Sequence, residues 1–189
     1  RTMAELHEAL GDVLSLAARR DEARTAYAEA LTANPHCTPA QVARLHRKTG
    51  KTWEAQHQHD DALECYAQAE RALPDTVVTD EDRDEWVQVR LDRLWVYYWL
   101  DRVPDMDALI EAIEPVVAQQ ASPLQKARFF DARVKRNLRQ DKYVMREDTL
   151  RFARLELKAS ETSGDFAQIL QSHFGLGFVL VFGGQPRLG

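Results

Sequence analysis

The chain has 189 residues, 44% hydrophobic and 29% charged, with 8 Gly and 7 Pro, which suits one substantial domain or a short repeat array and excludes a disordered chain. Its formal net charge of −5 argues against a dedicated nucleic-acid binder, which carries a basic excess. Cys37 and Cys65 form no disulfide framework, so a reducing, cytoplasmic setting is expected, and the longest apolar runs, 94–100 and 176–182, fall well short of the roughly 20 residues that a membrane span needs.

Apolar residues recur at steps of three and four through 4–17, 23–31, 42–53, 62–73, 86–100, 106–117, 124–138, 143–157 and 166–182. This period predicts about nine helices joined by short turns. The first pair is broken at 19–21 and closed at 34–38. Thr38-Pro39-Ala40-Gln41 then opens the third helix as a capping box with proline at the first helical position. Breaks follow at 57–60 and 74–80. Thr79, followed by Asp80, Glu81 and Asp82, places negative charge where a helix N-terminus favours it. After breaks at 101–105 and 118–122, Ser122-Pro123-Leu124-Gln125 repeats the capping box, and 140–142 and 163–165 separate the last elements. No stretch alternates with period two. The expected fold class is all-α.

The pattern also repeats. Gly11 is followed twelve residues later by Ala23, then by Tyr27, Ala30 and Pro35; Gly50 is followed at the same intervals by Ala62, Tyr66, Ala69 and Pro74. A small residue in the first helix lets the second approach, alanines do the same from the other side, a tyrosine fills the gap, and proline ends the unit. These five positions, matched twice over residues 4–76, resemble the tetratricopeptide repeat (TPR) family, whose unit is a helical hairpin. The resemblance implies an α-solenoid of antiparallel hairpins wound as a right-handed superhelix, a single repeat domain over 1–189. Its clear repeats are 4–37 and 43–76. Divergent hairpins at 80–118 and 123–162 keep the rhythm with large residues such as Trp95, Trp99, Phe129 and Phe130. In 165–189 only half a repeat is expected, with Leu176-Gly177 echoing Leu10-Gly11 and Gly184 placed at a turn.

His57, His59, Asp60 and Asp61, with Cys65 beyond them, have the residue types of a zinc site. Aligning the repeats puts 58–62 opposite 19–23, so the cluster falls in a hairpin turn and the first turn of a helix. The TPR resemblance implies a packing ring at the place of His59, and the aspartates complement the helix dipole. No phosphate-binding loop, nucleophile elbow or paired metal-binding histidine motif occurs. The expectation is a protein without catalytic residues, metal or cofactor.

The TPR resemblance implies that the first helices of successive hairpins line a concave groove. On that face the first repeat offers Glu5, Glu8 and Asp12, and the second Arg44, Arg47 and Lys51; the later ones add Arg90, Arg93, Tyr97, Arg128, Lys135 and Arg139. A basic groove suits a protein or acidic peptide partner. Some TPR proteins clamp a terminal carboxylate with lysine and asparagine; Asp12 stands where that pattern wants asparagine. The divergent half, including the stretches 90–117 and 122–165, resembles the C-terminal TPR regions of large bacterial signalling proteins. The function implied is a non-catalytic scaffold for protein–protein interaction within a longer signalling chain; a small-ligand or peptide-effector sensor binding in the groove is the alternative. Neither nucleic acid nor membrane is expected as a partner. The apolar helix 166–182 leads to one more expectation, a homodimer through residues 166–186 at a truncated C-terminal end.

Overall fold

The computed structural model describes residues 2–74 and 79–183. Among them are nine α-helices and no strand: α1 (Met3–Leu16), α2 (Arg20–Ala33), α3 (Pro39–Glu54), α4 (His59–Ala72), α5 (Asp80–Trp99), α6 (Val103–Gln120), α7 (Pro123–Gln140), α8 (Glu147–Ser163) and α9 (Phe166–Phe182). Gly184 and the end of the segment 166–186 lie outside the described residues. The architecture is all-α, a series of antiparallel hairpins in which helices pack on their neighbours in sequence, as in an α-solenoid. The chain forms two compact units, Arg1–Val96 and Tyr97–Gly189, divided inside α5.

In the first unit the small-to-large pairing carries the packing. A Cβ added at Gly11 would lie 2.6 Å from Cδ1 of Tyr27, and one at Gly50 would lie 2.5 Å from Cε1 of Tyr66. Glycine is needed because a buried ring occupies the space a side chain would take. Ala23, Ala26 and Ala30 are buried around Tyr27 with Leu14 and Leu45, and Ala62 and Ala69 are fully buried on the helix that carries Tyr66. Arg24 ties the first hairpin to the second. It lies 3.5 Å from the centre of the Trp53 ring and donates to Thr52 Oγ1 (3.0 Å) and Gln56 Oε1 (2.8 Å).

In the second unit, α6 buries Met106, Ile110, Ile113 and Val117 at helical spacing. Val134, Leu138, Phe152, Ala153 and Val179 form a core shared by α7, α8 and α9, with Phe130 stacked on Phe152. α8 starts four residues later than the apolar period predicts, because Lys142 and Tyr143 take positive φ after α7 (49° and 63°). It also runs six residues further, to a left-handed C-cap at Gly164 (φ 70°). Thr149 and Ser160, both fully buried, belong to the packed face that an apolar count overlooks.

All four first helices end alike. The Arg19 N–H donates to Leu14 C=O (2.9 Å), Gln58 to Trp53 (3.0 Å), Arg102 to Tyr97 (2.9 Å) and Tyr143 to Leu138 (2.8 Å). One residue before each donor, Ala18, His57, Asp101 and Lys142 adopt the left-handed conformation. This is the bond pattern of a Schellman closure. Counting from it, Met106, Ile110 and Ile113 occupy the register positions of Ala23, Tyr27 and Ala30. α6 thus keeps the register of α2 and α4 with bulky residues.

Candidate functional site: the charged face of the first helices

α1, α3 and α5 bring one face together in the first unit. α1 supplies Glu8 and Asp12 from adjacent turns, α3 supplies Arg44, Arg47, Lys48 and Lys51, and α5 supplies Glu81, Glu85 and Asp92. Arg44 grips Glu8 with two bonds (2.8 and 3.2 Å) and reaches Glu81 at 3.1 Å. Lys48 donates to both Glu8 and Asp12 at 2.7 Å. Arg47 makes a bidentate pair with Glu85 (2.7 and 3.2 Å) and a bond to Asp92 (3.3 Å). Lys51 binds Glu54 (2.5 Å) beside Asp92, and Tyr66 donates its hydroxyl proton to Glu54 (2.7 Å).

Burial and pairing set the electrostatics. Burial would raise the Glu8 carboxyl, but the bonds from Arg44 and Lys48 outweigh it and hold it below the usual carboxylate range. Arg47 is buried, which disfavours its charge, yet Glu85 and Asp92 raise its guanidinium above its already high value. Glu54 goes the other way: burial pushes it up, with only partial relief from Lys51. The face is therefore a ladder of alternating charge. Its half-exposed members, Asp12 (45%), Lys51 (42%) and Glu81 (50%), are the ones a partner can reach.

The residues expected on the groove separate into groups. Arg44, Arg47 and Lys51 come together, but each is held by carboxylates. Arg90 and Arg93 lie on another face of α5 and meet Glu70 of α4. In the second unit Tyr97 is buried with Arg102 against its ring, and Lys135 pairs with Asp131 one turn away. Arg139 donates to the Tyr98 carbonyl (3.0 Å) and lies over the Tyr98 ring, whose hydroxyl is 3.1 Å from that of Tyr143. Arg128 is exposed and forms no ion pair among the described residues. Sequence reasoning missed Glu81, Glu85 and Asp92. Their signal was the acidic stripe, with Gln88 between, at helical steps on the side of α5 opposite to Arg90 and Arg93.

The histidines occupy the second turn. His57 is its left-handed residue (φ 59°), and its ring meets that of His59 edge-on at 6.0 Å. Among the described residues no three His, Cys, Asp or Glu side chains group to hold a metal ion. Burial pushes the Cys65 thiol up to about 11, away from reactive thiolate. Among the described residues no helix is long and apolar enough to cross a membrane. No family model and no curated protein matches the chain.

Proposed function

We propose that this chain is a TPR-type helical scaffold for protein–protein interaction, without catalysis, serving as a regulatory or sensor segment of a larger cytoplasmic signalling protein. The observation that supports it is the common face of α1, α3 and α5. Three successive first helices hold charged groups in fixed positions along one surface, with Asp12, Lys51 and Glu81 left half open to a partner. Fixed, pre-organised charge recognises an extended polypeptide through many small contacts and lowers the entropy lost on binding. Because carboxylates already hold Arg44, Arg47 and Lys51, the reading shifts from a uniformly basic groove to a mixed one; the acidic-peptide part rests on Lys51, the half-exposed cation of the face.

An array of acidic peptides probed with the full 189-residue chain tests this. Binding should weaken roughly tenfold with Lys51→Glu, and again as salt rises from about 0.1 to about 0.5 M. No binding to any peptide, or binding indifferent to both charge and salt, removes the reading. A small-ligand sensor is favoured by one feature of the second unit, the cluster of Tyr98, Trp99 and Tyr143 around Arg139, with Trp99 half exposed. A ligand whose binding disappears with Trp99→Ala while the peptide array stays blank would favour that second reading.

A further inference from the structure

α9 carries the register of α1 and α3. Each of the three helices has a histidine four residues before a glycine: His7 and Gly11, His46 and Gly50, His173 and Gly177. Burial gives the same alignment from another side of the helix. Leu45 packs into the core of the first hairpin and Thr52 accepts from Arg24 of α2, so both face the hairpin before their own. Ser172 and Val179 of α9 stand at those two positions and face the preceding hairpin too: Ser172 donates to Glu156 of α8 (2.9 Å), and Val179 packs with Val134, Leu138 and Phe152. What differs is the side that a second helix covers. α2 and α4 lay Tyr27 and Tyr66 over Gly11 and Gly50. Ala43 and Glu54 of α3 are buried there, whereas at their positions in α9 Leu170 is 62% and Val181 53% exposed. His173 is exposed as well, and among the described residues nothing lies within 4 Å of where a Cβ on Gly177 would be.

We propose that this side of α9 is the docking site for an amphipathic helix of a partner protein whose inner face reads Ala-x-x-x-Phe-x-Glu-Ala. The hairpins already in the chain set each position. The ring enters the space above Gly177, as Tyr27 and Tyr66 do above their glycines. Alanines flank it because Ala23, Ala30, Ala62 and Ala69, at the same steps from those tyrosines, are fully buried and let the two helices approach. The ring is phenylalanine and not tyrosine. The Tyr27 hydroxyl donates to Asp12 (3.0 Å) and that of Tyr66 to Glu54 (2.7 Å). In α9 those two places hold Phe178 and Val181, and the helix contains no Asp or Glu, so a buried hydroxyl there loses its carboxylate acceptor. The acid follows from the first hairpin, where Nδ1 of His7 lies 2.9 Å from the carboxylate of Glu29, two residues beyond Tyr27; His173 waits at the place of His7. The inference goes beyond the charged face of α1, α3 and α5 and does not depend on it.

A peptide with this face can be cut from the chain itself: residues 19–34 carrying Tyr27→Phe, stapled on the outer side because so short a helix is marginal alone. Fluorescence anisotropy of the labelled peptide against the full 189-residue chain decides the matter. The Phe peptide should bind saturably, and the same peptide with its original tyrosine roughly tenfold more weakly. Gly177→Leu, which fills the space while leaving α9 helical by circular dichroism, should abolish binding. Val181→Glu restores the acceptor that Glu54 supplies in α3 and should reverse the preference, so that the tyrosine peptide binds more tightly than the Phe peptide. No saturable binding of the Phe peptide at several hundred micromolar overturns the proposal, as does binding that survives Gly177→Leu or equal affinity for the two peptides. Sedimentation velocity of the chain alone covers another occupant: self-association that Gly177→Leu abolishes would give this face to a second copy and overturn the proposal as well.

Discussion

At the scale of single residues, the two glycines that pack against tyrosine are the most constrained positions in the chain. A methyl at Gly50 must displace the Tyr66 ring, which is fully buried and anchored to Glu54. Overpacking of this kind costs about 1–3 kcal/mol. Gly177 is the control: nothing lies within 4 Å of where its Cβ would be, and it sits inside α9. There a methyl should stabilise by up to about 1 kcal/mol through helix propensity alone. Urea denaturation of Gly50→Ala and Gly177→Ala should give shifts of opposite sign; equal shifts would refute the packing argument. These glycines were legible in the sequence because the small residue and its aromatic partner recur together at fixed distance. Met106, Ile110 and Ile113 fill the same register with other shapes, so a search for the small residue and its ring passes over α6.

At the scale of elements, the ladder between α3 and α5 joins the second hairpin to the third. Arg47 is its centre, 15% exposed, and its two carboxylate partners are as deeply placed. Removing one member of a buried pair leaves uncompensated charge and costs about 3–5 kcal/mol, whereas an exposed ion pair contributes about 0–1 kcal/mol. Arg47→Ala should therefore lower stability several-fold more than Arg71→Ala, whose ion pair with Glu64 joins side chains 64% and 60% exposed. Comparable losses in thermal melts would show that the ladder is only a surface feature. Helix identity was legible throughout, since the apolar period marked every element and capping boxes opened α3 and α7. Which side of α5 faces α3 was not, because α5 buries Val87, Val89, Leu91, Leu94 and Val96 nearly all round and so has no single apolar stripe to orient it. The hairpin turns were placed by breaks in the period, but their left-handed geometry was silent. Their left-handed residues are Ala18, His57, Asp101 and Lys142, none of them the glycine that normally marks such a turn.

At the scale of the whole molecule, a buried group in each unit ties stability to pH, and the two act in opposite senses. In the second, burial pushes the Glu156 carboxyl up to about 7. Asp131 of α7 adds to this, and Ser172 and Gln168 of α9 and Lys135 of α7 oppose it. A carboxyl that holds its proton more tightly when folded stabilises the fold below its ordinary value, and that stability is lost as pH rises from 4.5 to about 7. The loss is about 3 kcal/mol at 1.36 kcal/mol per unit. In the first unit, burial and the charge of Arg71 lower His46, so its stability is complete above 6.5 and lost as pH falls through its folded value. Glu156→Gln should thus reduce the decline between pH 5 and pH 8 and leave the contributions of Glu54 and His46; a variant that declines as wild type does would show that Glu156 is not a cause. The order in which helices pack has a kinetic consequence as well. Each hairpin closes on its sequence neighbours: α1 on α2, α3 on α4, α7 on α8. Native contacts therefore bridge short loops, little chain entropy is lost before each contact forms, and the search for the fold is local. Such a chain can start folding at any hairpin and spread from it to the neighbours in sequence.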